Sequence, residues 1–309
     1  MTNSKEKYNY STVEVRPFEK LDWVFLLTAA MVWGSSFLFM DIALESEHPG
    51  LVTWLRPIFG AAALFCFPAA RRPIERSDYL HIFILGFTWM AFPLTMFPLA
   101  QQWIDSSVTG MLNGAMPIMT LILGVVAFGL KIQKVQVIGL LIGSSGICMI
   151  GLPTLSAGGS NAIGVLFVIL AVFSYGIAVH LAGPLQRKYG SLAVLLRVMI
   201  VALIFSAPFG VYGFFQSEWS GKSFGANLAV GLGGTGIAYV AAATLNGRVG
   251  AVRTSIVTYL IPIVALLLGV FVLEEKLSIW ELLGVSILIT GAWLTTRTVE
   301  QNIDKKESV

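Results

Sequence analysis

Arg56 and Arg197 stand apart from the other charges of this 309-residue chain because each falls inside a long apolar stretch. A guanidinium at the centre of a membrane span costs roughly 2.5–3.5 kcal/mol, so it needs either a use or a way out. Three remain open on sequence: snorkelling to the headgroups, forming a cationic wall for a substrate carboxylate, or closing a gate with Asp41, Glu45 or Asp105. A second pattern is Thr109, Asn113 and Pro117, spaced i, i+4, i+8, which sets a polar stripe and a kink point on one helix face. Thr254, Thr258 and Pro262 repeat it. Two such stripes suit facing walls of one cavity, or hydrogen bonds between helices.

Trp33, Trp89, Tyr175, Tyr239 and Tyr259 sit deep within apolar stretches. Such rings offer flat walls, hydrogen-bonding tips and cation–π faces, or plain packing. His180 could report a proton near neutral pH or serve as a structural hydrogen bonder. Pro93 and Pro98 should bend their helix, as a gate or as static curvature. The stretch Gly231–Gly236, GLGGTG, spells the dinucleotide fingerprint, which also requires a preceding strand and an acid roughly 20 residues on. Neither is present: Ser223 to Gly247 is free of charge and the next acid is Glu274. The glycines read instead as a close-packing helix surface, with backbone contact to a substrate as the alternative. Three histidines and two isolated cysteines give no metal-ligand spacing. They also supply no convergent catalytic set, which argues against an enzyme.

The elements that hold these groups follow from composition. Charged residues make up 12% and hydrophobic ones 56%, where a soluble domain carries about 25% charged. A span needs about 20 apolar residues to cross roughly 30 Å of hydrocarbon. Charge-free runs place ten helices, at roughly 22 to 44, 50 to 70, 78 to 100, 104 to 129, 134 to 151, 162 to 184, 190 to 215, 225 to 246, 249 to 272 and 278 to 297. Residues 1–21 and 298–309 are hydrophilic tails, and 152–161, rich in Pro, Gly and Ser, is a linker. With both tails cytoplasmic, sixteen of the 20 Lys and Arg residues lie inside and only Lys222 and Lys276 outside, which the positive-inside rule favours. The net charge of +3 therefore reflects orientation and implies no nucleic-acid partner.

The chain is also written twice. A shift of 145 places Thr109 on Thr254, Pro117 on Pro262, Lys131 on Lys276, Gly139 on Gly284 and Gly146 on Gly291 without a gap. Shifts of 142 and 141 bring Trp33-Gly34 onto Tyr175-Gly176 and Arg56 onto Arg197. Five spans per copy is odd, so 162–297 should sit upside down relative to 22–151. Inverted repeats around a midplane site are a hallmark of secondary carriers.

The segments PIMTLILGVVAFGLKIQKVQVIGLLIGSSGI and PIVALLLGVFVLEEKLSIWELLGVSILITGA, with Trp33-Gly34 and Arg56, resemble the EamA-type branch of the drug/metabolite transporter superfamily. The resemblance implies an all-α membrane protein of ten helices in a 5+5 inverted arrangement, without a cofactor. It implies export of an amino-acid-like metabolite by alternating access, in a bacterial inner membrane. An uptake carrier or exchanger of the same fold is the alternative, and a membrane scaffold the non-transport one. The second copy carries the acidic pair Glu274-Glu275 of the family's turn, whereas the first has Gly129-Leu130. Helices 5 and 10, rich in small residues, would suit either a homodimer or lipid contact.

Overall fold

A computed structural model describes residues 18–129, 132–156, 161–249 and 251–296, and among them there are helices and no strands. Eight helices are long and apolar enough to cross a membrane. They are α1 (Lys20–Leu44), α3 (Arg76–Ala100), α4 (Ser106–Val126), α5 (Lys134–Ser156), α6 (Asn161–Tyr189), α7 (Ser191–Gln216), α8 (Gly221–Val249) and α10 (Ile279–Thr296). Two shorter apolar helices complete the set, α2 (Pro49–Phe65) and α9 (Ile256–Val272).

Local chemistry explains where the elements start and stop. Pro49 opens α2 where its missing N–H costs nothing, and His48 Nδ1 accepts from Gly50 N–H at 3.0 Å. The helix was expected to reach residue 70 but ends at Phe65, because Pro68 biases Phe67 away from helical backbone; a 3₁₀ turn, Pro68–Arg71, follows. Conversely α5 runs through Ser156 with Pro153 inside it, which shortens the expected 152–161 linker; 157–160 lie outside the described residues.

The most extensive helix pairings repeat when five is added to each number. Thus α1 packs on α8 and α9, while α6 packs on α3 and α4. The contact of α2 with α8 is matched by α7 with α3, and α2–α7, α4–α9 and α5–α10 map onto themselves. The most extensive pair is α5 with α10, where glycines bring backbones together. A Cβ on Gly146 would lie 2.5 Å from Leu288 N, and one on Gly139 2.8 Å from Gly291 O. The small faces of α5 and α10 thus meet each other within one chain.

Candidate functional site

At the centre of this arrangement is a cavity of about 330 Å³, at the lower end of the range for small-molecule sites. The face of α1 at Trp33, Ser36, Phe37 and Met40 forms one wall, with Arg56 of α2 beside it. Further walls come from Trp89, Leu94 and Phe97 of α3, Asn113 and Met116 of α4, and Tyr175 of α6. The last comes from Gly234, Tyr239, Ala242 and Asn246 of α8, with Thr254 and Ser255 just before α9 and Val257, Thr258 and Ile261 in its first turns. Phe37, Met40 and Phe97 are buried at one end, while Asn246 is exposed at the other. Phe37 meets Phe97 edge-on at 5.7 Å, and Phe97 lies 6.0 Å from Tyr175, so packed aromatic rings line this part of the cavity.

Two of the walls depart from α-helical geometry at matching places. In α3, residues Phe87–Ala91 are π-helical, with Phe92 N–H bonding Phe87 O; in α8, Ala229–Ile237 are π-helical, with Ala238 N–H bonding Gly233 O. Pro93 supplies a cause for the first, because it has no N–H to offer the Trp89 carbonyl and its ring crowds that carbonyl. The second contains GLGGTG. Its glycines pack as a close-contact surface: a Cβ on Gly231 would lie 2.6 Å from Phe59 Cβ, and one on Gly236 2.7 Å from Ala63 Cβ. Gly234 also faces the cavity, and its carbonyl accepts the Trp33 indole N–H at 2.8 Å. The Trp33 ring in turn meets Tyr239 edge-on at 5.1 Å, and Tyr239 meets Trp89 at 5.9 Å. This hydrogen-bonded aromatic chain fixes the wall between α1, α3 and α8. π-bulges recur at functional sites because they free backbone groups and widen the helix locally.

The two intramembrane arginines differ. Arg197 donates from Nη1 to Ala70 O at 2.9 Å and from Nη2 to Arg72 O at 3.0 Å, tying α7 to the 3₁₀ turn after α2, away from the cavity. Arg56 is 8% exposed and reaches Met40 Sδ at 3.6 Å, a weak acceptor, while its Nε has no partner. No gate pair forms with the acids considered for it: Glu45 is held by Lys222 at 2.7 Å. Among the described residues no Asp or Glu lines the cavity.

Of the other expected residues, Trp33, Trp89, Asn113, Tyr175, Tyr239, Thr254 and Thr258 share the cavity wall. Thr109 is buried and donates to Asp105 O at 3.0 Å. His180 Nε2 lies 3.0 Å from Thr120 O, with its ring stacked on Phe128 at 4.4 Å. The Tyr259 hydroxyl bonds Thr296 Oγ1 and the Ala292 carbonyl, so it braces α9 against α10. Pro117 follows a break in α4 at Gly114 and Ala115; Pro262 and Pro98 sit inside α9 and α3, respectively, and Pro93 lies two residues after the end of the π-turn. Ser36, Met40, Asn246 and Ser255 are cavity residues not anticipated from sequence. They lie on faces already marked: Ser36 and Met40 three and seven residues beyond Trp33, and Asn246 seven beyond Tyr239.

Outside the cavity, Glu275 in the α9–α10 turn accepts from Ser106 N at 2.9 Å and Ser107 N at 3.1 Å, capping the N-terminus of α4. Asp105 beside it is held above its ordinary carboxylate range by burial and by the negative charges of Glu275 and Glu281.

The EamA-like transporter family matches residues 22–152 and 162–297. Among curated relatives, the uncharacterized transporter YoaV of Bacillus subtilis is 25% identical over 282 residues, covering 88% of this chain and 96% of the relative. The uncharacterized inner membrane transporter YedA of Escherichia coli is 24% identical over 285 residues, covering 88% and 89%. Protein PagO of Salmonella typhimurium is 22% identical over 281 residues, covering 88% and 91%. A solved crystal structure shares the fold, with a TM-score of 0.63 and 17% identity over 91% of this chain and 98% of that one.

Proposed function

Because the chain belongs to the EamA-like transporter family, we propose that it is a secondary carrier that moves a small, amino-acid-like metabolite across a bacterial inner membrane by alternating access. Its membership makes it a multi-pass membrane transporter of the drug/metabolite type. In this reading the eight long helices and the two 17-residue ones all span, as two inverted five-helix copies with both termini in the cytoplasm. Seventeen residues suffice at the short limit of a span. The observation that carries the reading is the helix pairing that maps onto itself when the halves are exchanged, with the cavity between them.

Two copies related in this way can trade conformations, so that a site at their interface is exposed first to one side and then to the other. Asn246, Thr254 and Ser255 belong to the cavity wall, as do Phe37, Met40 and Phe97; in this reading the former lie toward the inner side and the latter form the far end. In this orientation the cavity faces the cytoplasm, the loading state of an exporter. Asn113, Thr254 and Thr258 supply polar contacts, Trp33, Trp89, Tyr175 and Tyr239 the apolar surface, and the π-turns of α3 and α8 the hinges.

The test is solute flux in proteoliposomes under imposed substrate and pH gradients. Efflux of preloaded amino-acid-like solute that Asn113→Ala and Trp33→Ala abolish supports the carrier. Counterflow without net export would identify an exchanger, and accumulation an uptake carrier. No flux of any solute by folded protein would leave a membrane scaffold.

A further inference from the structure

We propose that Arg56 is the anchor for a carboxylate, and that the cavity takes amphipathic monocarboxylates while rejecting the corresponding amines. The proposal deepens the carrier reading and rests on it for the meaning of transport, but not for binding. A guanidinium stripped of water is costly unless an anion compensates it. Arg56 is 8% exposed, its Nε is unpartnered, and its neighbour is the Met40 thioether at 3.6 Å. With no carboxylate among the described residues of the cavity wall, the charge that balances it is the ligand's. A carboxylate fits the planar fork of the guanidinium with two parallel hydrogen bonds, which an ammonium cannot replace.

The rest of the wall defines the body of that ligand. Trp33, Trp89, Tyr175 and Tyr239 present ring surface, and about 330 Å³ admits a molecule of amino-acid size. Asn113 Oδ1 is buried without a donor. It is a single neutral acceptor, suited to an amine or hydroxyl hydrogen beside the carboxylate, but it cannot balance a positive charge on its own. An amino group is therefore an accessory in recognition, and the carboxylate is the requirement.

The experiment is a binding comparison on the purified full-length carrier in detergent, read by thermal shift and by quenching of tryptophan fluorescence. The probes are two matched sets: phenylalanine, 3-phenylpropanoate and phenethylamine; leucine, 4-methylpentanoate and isoamylamine. The acids and amino acids are expected to stabilise the protein and the amines to leave it unchanged. Arg56→Gln is expected to weaken the acids at least about tenfold, the scale of a lost charged hydrogen bond, and Arg56→Lys to weaken them less. Asn113→Ala should bring phenylalanine down to the level of 3-phenylpropanoate. Amines binding as well as acids, no acid binding at all, or acids indifferent to Arg56→Gln would overturn the proposal; the wild-type comparison decides it even where a variant fails to fold. Acid binding without flux in proteoliposomes sinks the carrier reading and leaves the anchor, whereas amine flux that survives Arg56→Gln does the reverse.

Discussion

The turns after Val126 and after Val272 are one backbone written with different side chains, and the contrast shows how a duplicated fold can be made to favour one state. In both, the chain closes with an N–H bonding a carbonyl five residues back: Phe128 to Leu123 at 3.3 Å and Leu273 to Leu268 at 3.4 Å. Both then enter the left-handed region, at Gly129 with φ 65° and at Glu274 with φ 56°. The first copy uses glycine, which adopts that conformation freely, whereas the second puts a side chain there at a cost of roughly 1–2 kcal/mol. The next residue in the second copy, Glu275, caps the N-terminus of α4; its counterpart by sequence is Leu130, which has no carboxylate to offer α9. The opposite end is tied by Arg248 to Asp22 and Glu19, whereas the end at Glu275 uses a carboxylate for which the first copy's turn has no counterpart in sequence. On the proposed topology that end is the outer one.

The comparison can be broken hardest at Gly269. A Cβ there would collide with Glu275 Oε2 and lie 2.7 Å from Ser107 Cβ. Gly269→Leu should therefore force the clasp apart and cost about 3 kcal/mol, the upper range of overpacking, as a lowered unfolding midpoint in detergent. Glu275→Ala removes the cap while leaving the packing, and is expected to cost about 1–2 kcal/mol in the same assay. The turn itself is probed by a reciprocal pair. Glu274→Gly should stabilise by about 1 kcal/mol and Gly129→Ala destabilise by a similar amount; equal and small effects would show that the two backbones do not share this strain.

The smallest expected effect is on pH. Asp105 has its folded-state pKa raised above the ordinary 3.8. A folded state that binds the proton more tightly than the unfolded chain loses stability as pH rises from the unfolded value through the folded one. The unfolding midpoint should accordingly climb as pH falls from neutral toward that range, and Asp105→Asn should flatten this part of the profile. An unchanged slope in Asp105→Asn would show that Asp105 does not carry it.

Much of this was legible in the sequence because the bilayer imposes a length and a polarity that charge-free runs report directly. The helices were located to within a few residues except for α2, which ends early at Phe65 before Pro68, α5, which runs on past Pro153, and α9, which begins at Ile256 after a separate turn of helix at Ala251–Thr254 where a start near 249 was expected. The paired stripes led to the cavity, because Asn113, Thr254 and Thr258 lie on its wall, but spacing did not separate them from Thr109, whose hydroxyl turns back to its own helix. Arg56 and Arg197 read alike in sequence. What distinguishes them is tertiary: the 3₁₀ turn at Pro68–Arg71 offers carbonyls to Arg197, and nothing comparable reaches Arg56. The π-turns were not visible either, since they arise from how Pro93 and the glycines of α8 are packed.

The central claim is that two inverted five-helix copies share one cavity, and side-specific labelling tests it most directly. With the free thiols Cys66 and Cys148 replaced by serine, Lys131→Cys and Lys276→Cys would be treated separately with a membrane-impermeant thiol reagent, in sealed vesicles of known orientation. The account predicts that Lys276→Cys reacts only from outside and Lys131→Cys only from the cytoplasmic side. Labelling of both from the same face would contradict the inversion, and with it the alternating-access carrier.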